Sequence, residues 1–323
     1  MKPFVGPLTE LLNEFVKLKH SLGFKYEHEA DELYRFSKFS IAFPITEPIL
    51  SKELVQAWCA KRPNESVRNC RRRAYPVRQL GIYLNSIGHE AFIASADKNA
   101  NSFTFIPYIF TANEMERIFA SSDRLCPHRL STLPLIMPVI LRMIYGGGLR
   151  ISEAVSLQNK HVNLQDGILE VKNSKFGKDR LIPMSESVTT CCRQYYQVFH
   201  RYSSSEDYFF MGADRKSITR DSVYRRFRDI LWESGISHGG KGNGPRVHDL
   251  RHTFAVHTLK RAVDRGVDVY CALPILSTYL GHASVAATEH YVRLTADAFP
   301  DIRAALDRYC GHVIPEVEWD EAD

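Results

Sequence analysis

Apolar positions recur at helical spacing through most of this chain. Leu8, Leu11, Leu12, Phe15, Val16 and Leu18 line one side of a segment that Gly23 ends, and a second amphipathic run follows from Glu27 to Ala42. Pro44 and Pro48 interrupt the pattern; Ser51 then caps a third helix reaching Lys61, and Asn64 a fourth reaching about Ile87. Periodicity lapses between Glu90 and Phe110, where Ala94, Ser95, Asn99, Asn101, Ser102 and Pro107 read as a linker. Beyond it Thr111 caps a helix over Ala112 to Ala120. Leu133 to Tyr145, strongly apolar, reads as a buried helix running into Gly146-Gly147-Gly148, with a short helix from Ile151 to Leu157 after the turn. The alternation changes from Ile168 to Met184, which reads as a strand, a turn at Lys175-Phe176-Gly177-Lys178 and a returning strand through Arg180-Leu181-Ile182-Pro183. Helices resume over Ser185 to Tyr202, Arg220 to Gly235 and Val247 to Arg261; another closes at Gly281, and Ser284 caps the next. The expectation is a mainly α chain with a small β-hairpin, of α+β class.

At 323 residues the chain is long enough for two domains with ample core. It holds no apolar run of the length a membrane span needs and no readable secretory leader. Seven cysteines, an odd number with no CxxC pair, fit a reduced, cytoplasmic setting. The formal charge of +5 conceals a polarity: residues 301–323 hold two basic against seven acidic residues, which leaves 40 basic and 30 acidic residues in the 300 before them. A basic body fits a polyanionic partner.

The basic residues concentrate on the fourth helix. Lys61, Arg62, Arg68, Arg71, Arg72, Arg73 and Arg78 lie on it or just before it, against the single acid Glu65, and this density suits phosphate contacts along DNA more than a solvated face. Arg225, on the Arg220 to Gly235 helix with Arg220, Arg226 and Arg228, is a further candidate, as readily explained by solvation. His248 and Arg251 share a helix face three residues apart, an arrangement that suits a phosphodiester: the guanidinium forks onto two oxygens while the imidazole passes a proton. Taken alone, HDLRH is as readily a solvated basic face. Neither Gly146-Gly147-Gly148 nor the run from Gly239 to Gly244 fits a nucleotide-binding pattern. The histidines include no HExxH, and no acidic triplet suggests a pair of metal ions.

His248-x-x-Arg251, then Leu280-Gly281-His282, then Tyr291 nine residues after that histidine resemble the C-terminal catalytic pattern of the tyrosine recombinases, the family of phage-type integrases. Upstream, Gly147-Gly148-Leu149-Arg150-Ile151-Ser152-Glu153 looks like that family's first catalytic-arginine motif, and the Ile168 to Met184 hairpin like the one carrying its catalytic lysine. Several motifs in the family's order are far more specific than any one alone.

The resemblance implies a catalytic set of Arg150, Lys175, His248, Arg251, His282 and the nucleophile Tyr291, with Glu153 supporting. Lys172 and Lys178 lie close enough to Lys175 to compete for the lysine's role. It further implies a helical core-binding domain over residues 1–90, a linker over 91–110, a catalytic domain over 111–299 and, over 300–323, a C-terminal helix and acidic tail, passed to a neighbouring protomer or docked on its own domain. The two domains would form a C-shaped clamp on double-stranded DNA, with phosphate contacts from Arg68, Arg71, Arg72, Arg73, Arg78 and Arg225. The enzyme would need no cofactor or metal. It would be a monomer without DNA and a homotetramer on two duplexes, with an accessory DNA-bending factor as a further partner, in the nucleoid of a bacterial cytoplasm. Integration, excision or transposition of a mobile element is the expected role; a resolvase of the same chemistry, or a regulator on a decayed scaffold, is the alternative.

Overall fold

The computed structural model describes residues 2–43, 49–95, 106–172, 179–240, 244–282, 284 and 286–298. The chain divides into two compact units, residues 1–104 and 105–323.

The first unit contains helices α1 (Thr9–Ser21), α2 (Glu27–Ser40), α3 (Lys52–Cys59) and α4 (Val67–Ser86). Their apolar faces meet in one core around Leu12, Phe15, Leu33, Phe36, Trp58 and Leu80. Ser51 caps α3 by accepting from the Leu54 amide at 3.2 Å. At α4 the expected cap shifts: Ser66, not Asn64, accepts from the Asn69 amide at 3.2 Å, and Asn64 takes the left-handed conformation ahead of it.

That helix also corrects the reading of Arg73. Its side chain is turned inward and buried, bound to Glu65 at 2.8 and 3.0 Å, to the Ala60 carbonyl at 3.0 Å and to the Trp58 carbonyl. Trp58 answers by donating Nε1 to the Arg73 carbonyl at 3.1 Å. Arg73 therefore ties α4 to the end of α3 and presents no guanidinium to a phosphate. Charge density along the sequence did not reveal that one of the seven cations pointed into the core.

Both described ends of the expected linker are docked. Ala91 forms a parallel bridge with Leu50, and the Phe92 amide donates to the Leu50 carbonyl at 2.9 Å. Phe110, fully buried, lies in the core of the second unit, where its amide donates to Thr253 Oγ1 at 3.0 Å.

The second unit contains α5 (Ala112–Asp123), α6 (Leu133–Gly147), α7 (Ile151–Ser156), strands β1 (Val162–Asn163), β2 (Ile168–Val171) and β3 (Arg180–Pro183), then α8 (Glu186–Phe199), α9 (Arg220–Glu233), α10 (Val247–Asp264), α11 (Val269–Leu280) and α12 (Ala286–Ala298). The strands form an antiparallel sheet in the order β1-β2-β3, with Leu169 opposite Ile182, both buried. The mainly α, α+β expectation holds. β1 was not legible in the sequence, because two residues carry no alternation. α6 is apolar on several faces because α5, α8, α9 and α10 all pack on it. Of the three glycines at its end, Gly146 and Gly147 stay helical, and Gly148, the cap residue, makes the turn, at φ +58°. A Cβ there would lie 2.7 Å from the Phe254 ring, so α10 approaches closely, and its Arg251 reaches the Gly148 carbonyl at 2.6 Å. Among the described residues no helix is long and apolar enough to cross a membrane.

Candidate active site

The site is built on the end of α11. A helix leaves its last carbonyls without backbone partners and carries partial negative charge there. Three consecutive carbonyls each take one arginine from a different element. Arg180 Nε of β3 donates to Tyr279 O at 3.0 Å, Arg251 Nη2 of α10 to Leu280 O at 2.7 Å, and Arg150 Nη2, at the start of α7, to Gly281 O at 3.2 Å. Gly281 closes the helix at φ +66°, and a Cβ there would press on the Arg180 guanidinium at 3.0 Å.

Glu153 binds these cations together. Its carboxylate accepts from Arg180 at 2.7 and 3.0 Å, from Arg150 Nη1 at 2.7 Å and from the Arg150 amide at 2.8 Å, with Arg251 Nη1 at 4.0 Å. Burial alone would raise its pKa, but hydrogen bonds from Arg180 and Arg150 outweigh that and hold it down to about 2. Glu153 is thus a fixed carboxylate that orients the arginines.

Arg251 is 1 % exposed, and its other fork, Nη1, donates to Gly148 O at 2.6 Å. Burial, reinforced by the nearby Arg150 charge, lowers its pKa to about 10, which leaves it a cation at neutral pH. Arg251 Nη2 also lies 3.1 Å from His282 Nε2; a guanidinium only donates, so Nε2 accepts, and Nδ1 carries the hydrogen to Thr288 Oγ1 at 2.7 Å. Burial and the charges of Arg251 and Arg150 push His282 down to about 4, so its imidazole is neutral.

Tyr291, on α12, is 1 % exposed within this cluster, its ring parallel to that of His282 with centroids 6.2 Å apart. Burial pushes its hydroxyl up to about 12, against the pull of Arg251 and Arg150, which favour the phenolate. The imidazole bonded to it is that of His252, whose Nδ1 is 2.8 Å from the phenol oxygen. His248, one turn earlier, lies edge-on to His252 at 4.7 Å, and burial, with the charge of Arg251, lowers it to about 4.

Five of the six expected catalytic residues therefore converge, with Glu153 beneath them. Lys175 falls within residues 173–178, outside the described residues, as does Lys178. Lys172 is held between Glu170 at 2.6 Å and Asp179 at 3.2 Å, and these bonds raise its pKa. Of the expected DNA contacts, Arg68, Arg72 and Arg225 are exposed, Arg71 and Arg78 are half-buried, and Arg73 is internal. The sequence reading missed Arg180, His252 and Thr288. His252 was within reach of it, being four residues from His248 on the same face. Nothing in a strand's alternation singles out Arg180.

Residues 109–297 match the family model described as the phage integrase family. The chain belongs to that family. Phage integrase family members of this type are tyrosine recombinases, enzymes that break and rejoin DNA. A Sinorhizobium fredii protein provisionally named integrase/recombinase y4rB is 26 % identical over 94 % of this chain and 98 % of its own length. Tyrosine recombinase XerD of Listeria innocua is 27 % identical over 85 % of this chain and 89 % of its own. In fold, a lambda integrase dimer bound to a COC′ core site matches with a TM-score of 0.62 at 16 % identity, over 87 % of this chain and 94 % of that one.

Proposed function

We propose that Tyr291 is the nucleophile of site-specific strand exchange between DNA duplexes, serving a bacterial mobile element. The observation that carries this reading is a phenol placed among Arg150, Arg251 and His282, where the two guanidiniums favour its ionised form. Tyr291 Oη attacks a backbone phosphorus; the O–P bond forms as the P–O5′ bond breaks, leaving a 3′-phosphotyrosyl link and a 5′ hydroxyl. Arg150, Arg251 and His282 stabilise the charge that builds on the non-bridging oxygens. His248, 4.7 Å from the His252 ring that the hydroxyl faces, finally takes the phenolic proton, and Lys175 supplies the proton taken by O5′. A 5′ hydroxyl from a second duplex then attacks the link and restores the phosphodiester, releasing Tyr291.

Assembly as a homotetramer on two duplexes is part of the proposal. The groove between α10 and α11, lined by Phe254, Leu259, Val267, Ala272, Ile275 and Leu276, with Ile275 71 % exposed, supports it as a landing place for an apolar segment of a neighbouring protomer. The segment beginning at Pro300 lies outside the described residues. Arg68, Arg72 and Arg225 supply exposed cations for the DNA backbone, in a cytoplasmic enzyme that an accessory bending protein assists.

The test is covalent capture. A pool of nicked duplexes spanning the DNA that flanks the gene is incubated with the protein, and denaturation-resistant adducts are recovered and sequenced. The wild type should yield an adduct at a defined site, and Tyr291→Phe none, with DNA affinity unchanged. An adduct persisting in Tyr291→Phe overturns the assignment. Adding a second duplex should convert adduct to recombinant product, and relaxation without exchange would point to a nicking-resealing enzyme.

A further inference from the structure

We infer that His252 positions the nucleophile: its Nδ1 accepts the hydrogen of the Tyr291 hydroxyl and so fixes the direction in which the oxygen's lone pairs point. This rests on Tyr291 being the nucleophile.

Hydrogen-bond accounting at one oxygen carries the inference. A phenol oxygen has one hydrogen to donate and two lone pairs with which to accept. The positive charge of the Arg251 guanidinium bears on Tyr291 and draws the lone pairs of Oη toward it, so the hydroxyl's own hydrogen points to a different partner. His252 Nδ1, 2.8 Å away, meets that need when its hydrogen is on Nε2. The hydrogen then points to His252, and the lone pairs face the arginine cluster, where a phosphate would sit.

The surroundings hold His252 neutral, as an accepting Nδ1 requires. His248 lies edge-on at 4.7 Å on the same helix, His290 of α12 is 6.1 Å away, and Arg246 and Arg251 bear on it from α10 and its N-cap. Burial first, then these neighbours, push its pKa down to about 3, while that of Tyr291 is pushed up to about 12. A proton does not pass spontaneously between groups so far apart in acidity. In the resting site His252 aims the hydroxyl without ionising it.

The phenol is not parked away from the chemistry. Its ring stacks on His282 at 6.2 Å on one side, and His290 is 4.0 Å from it. The hydrogen bond to His252 fixes the torsion of a hydroxyl already inside the arginine cluster.

The experiment measures adduct formation on the duplex recovered by covalent capture, in two versions: one with the natural scissile phosphate, the other with sulfur replacing the bridging O5′. Sulfur leaves without needing a proton, so the second version isolates the attacking side. His252→Ala should slow adduct formation about 10²-fold on both versions, as expected for a misaimed nucleophile, with duplex affinity and melting temperature near wild type. His252→Asn, whose Oδ1 falls near the position of Nδ1 and accepts but is not basic, should recover most of the rate. Three outcomes overturn the inference: a rate unchanged in His252→Ala, a rate that rises in it, making His252 a restraint, and an Asn variant as slow as the Ala variant, making basicity the requirement. Tyr291→Phe run alongside separates the two readings. An adduct persisting there removes the nucleophile assignment itself, while its loss together with a normal His252→Ala rate removes only the role of His252.

Discussion

Glu153 Oε2 lies 2.7 Å from Arg180 Nη2, and its Oε1 lies 3.0 Å from Arg180 Nη1, a parallel fork across 27 residues of chain. The pair fastens β3 to α7, and because Arg180 also holds Tyr279 O, it sets the height of the α11 terminus from which His282 projects. Glu153 thereby controls the placement of three cations that would otherwise repel one another.

Replacing Glu153 by Gln should therefore cost more than one hydrogen bond. The carboxylate is 5 % exposed, and removing one partner of a buried ion pair typically destabilises by about 3–5 kcal/mol. Urea unfolding of Glu153→Gln should show a loss in that range, and the double variant with Arg180→Met should lose less than the two single variants added together. Strict additivity would mean that the two residues do not depend on each other.

Gly148 supplies a second test of the same architecture. Any other residue at φ +58° is strained, and a Cβ there would meet Phe254 at 2.7 Å and Leu280 at 2.9 Å. Gly148→Ala should be strongly destabilising, and Phe254→Leu in the same chain should recover part of the loss. If Gly148→Ala melts with the wild type, α6 and α10 do not pack as closely as described.

Acid should loosen the site before it touches the carboxylate. Burial holds His248, His252 and His282 down to about 4, 3 and 4, whereas an unfolded histidine titrates near 6.5. A group whose pKa is depressed by folding contributes stability that is complete above the unfolded value and is lost as pH falls toward the folded one. Glu153, depressed to about 2, follows the same rule below about 4.5 and is silent above it. The melting temperature should thus hold above pH 7 and fall by several degrees between about pH 6.5 and 4.5, and His282→Asn should flatten part of the decline. A melting temperature constant over that interval would show that these imidazoles are not held neutral.

How much of this was legible depended on whether a feature leaves a local mark. Helices announced themselves by spacing and caps, as with Ser51 and Thr111, and the five converging catalytic candidates were picked out by motif order. What stayed hidden was side-chain direction. Arg73 and Arg72 are adjacent in a run of arginines, yet one enters the core and the other is exposed, because neighbouring residues on a helix differ by roughly 100°. Likewise Arg180 opens a short strand, and only the tertiary arrival of Glu153 and Tyr279 O gives it a role.

The direction of Arg73 leads to a prediction that separates charge from structure within one helix. Arg68 is exposed on α4 and, if it meets a phosphate, releases a counterion on binding; Arg68→Gln should weaken binding to every duplex and flatten the dependence of log K on log salt by about 0.9. Its melting temperature should not change. Arg73→Met should do the reverse. Without the guanidinium, Glu65 and the carbonyls of Trp58 and Ala60 lose their shared donor. The first transition in a thermal melt of the full chain should then drop by roughly 5–10 °C, while the salt slope of the protein that remains folded stays at the wild-type value. The two measurements are independent, so a mixed result is informative. An Arg73→Met variant that melts normally and flattens the salt slope would mean that the side chain reaches DNA, with Glu65 exchanged for a phosphate on binding.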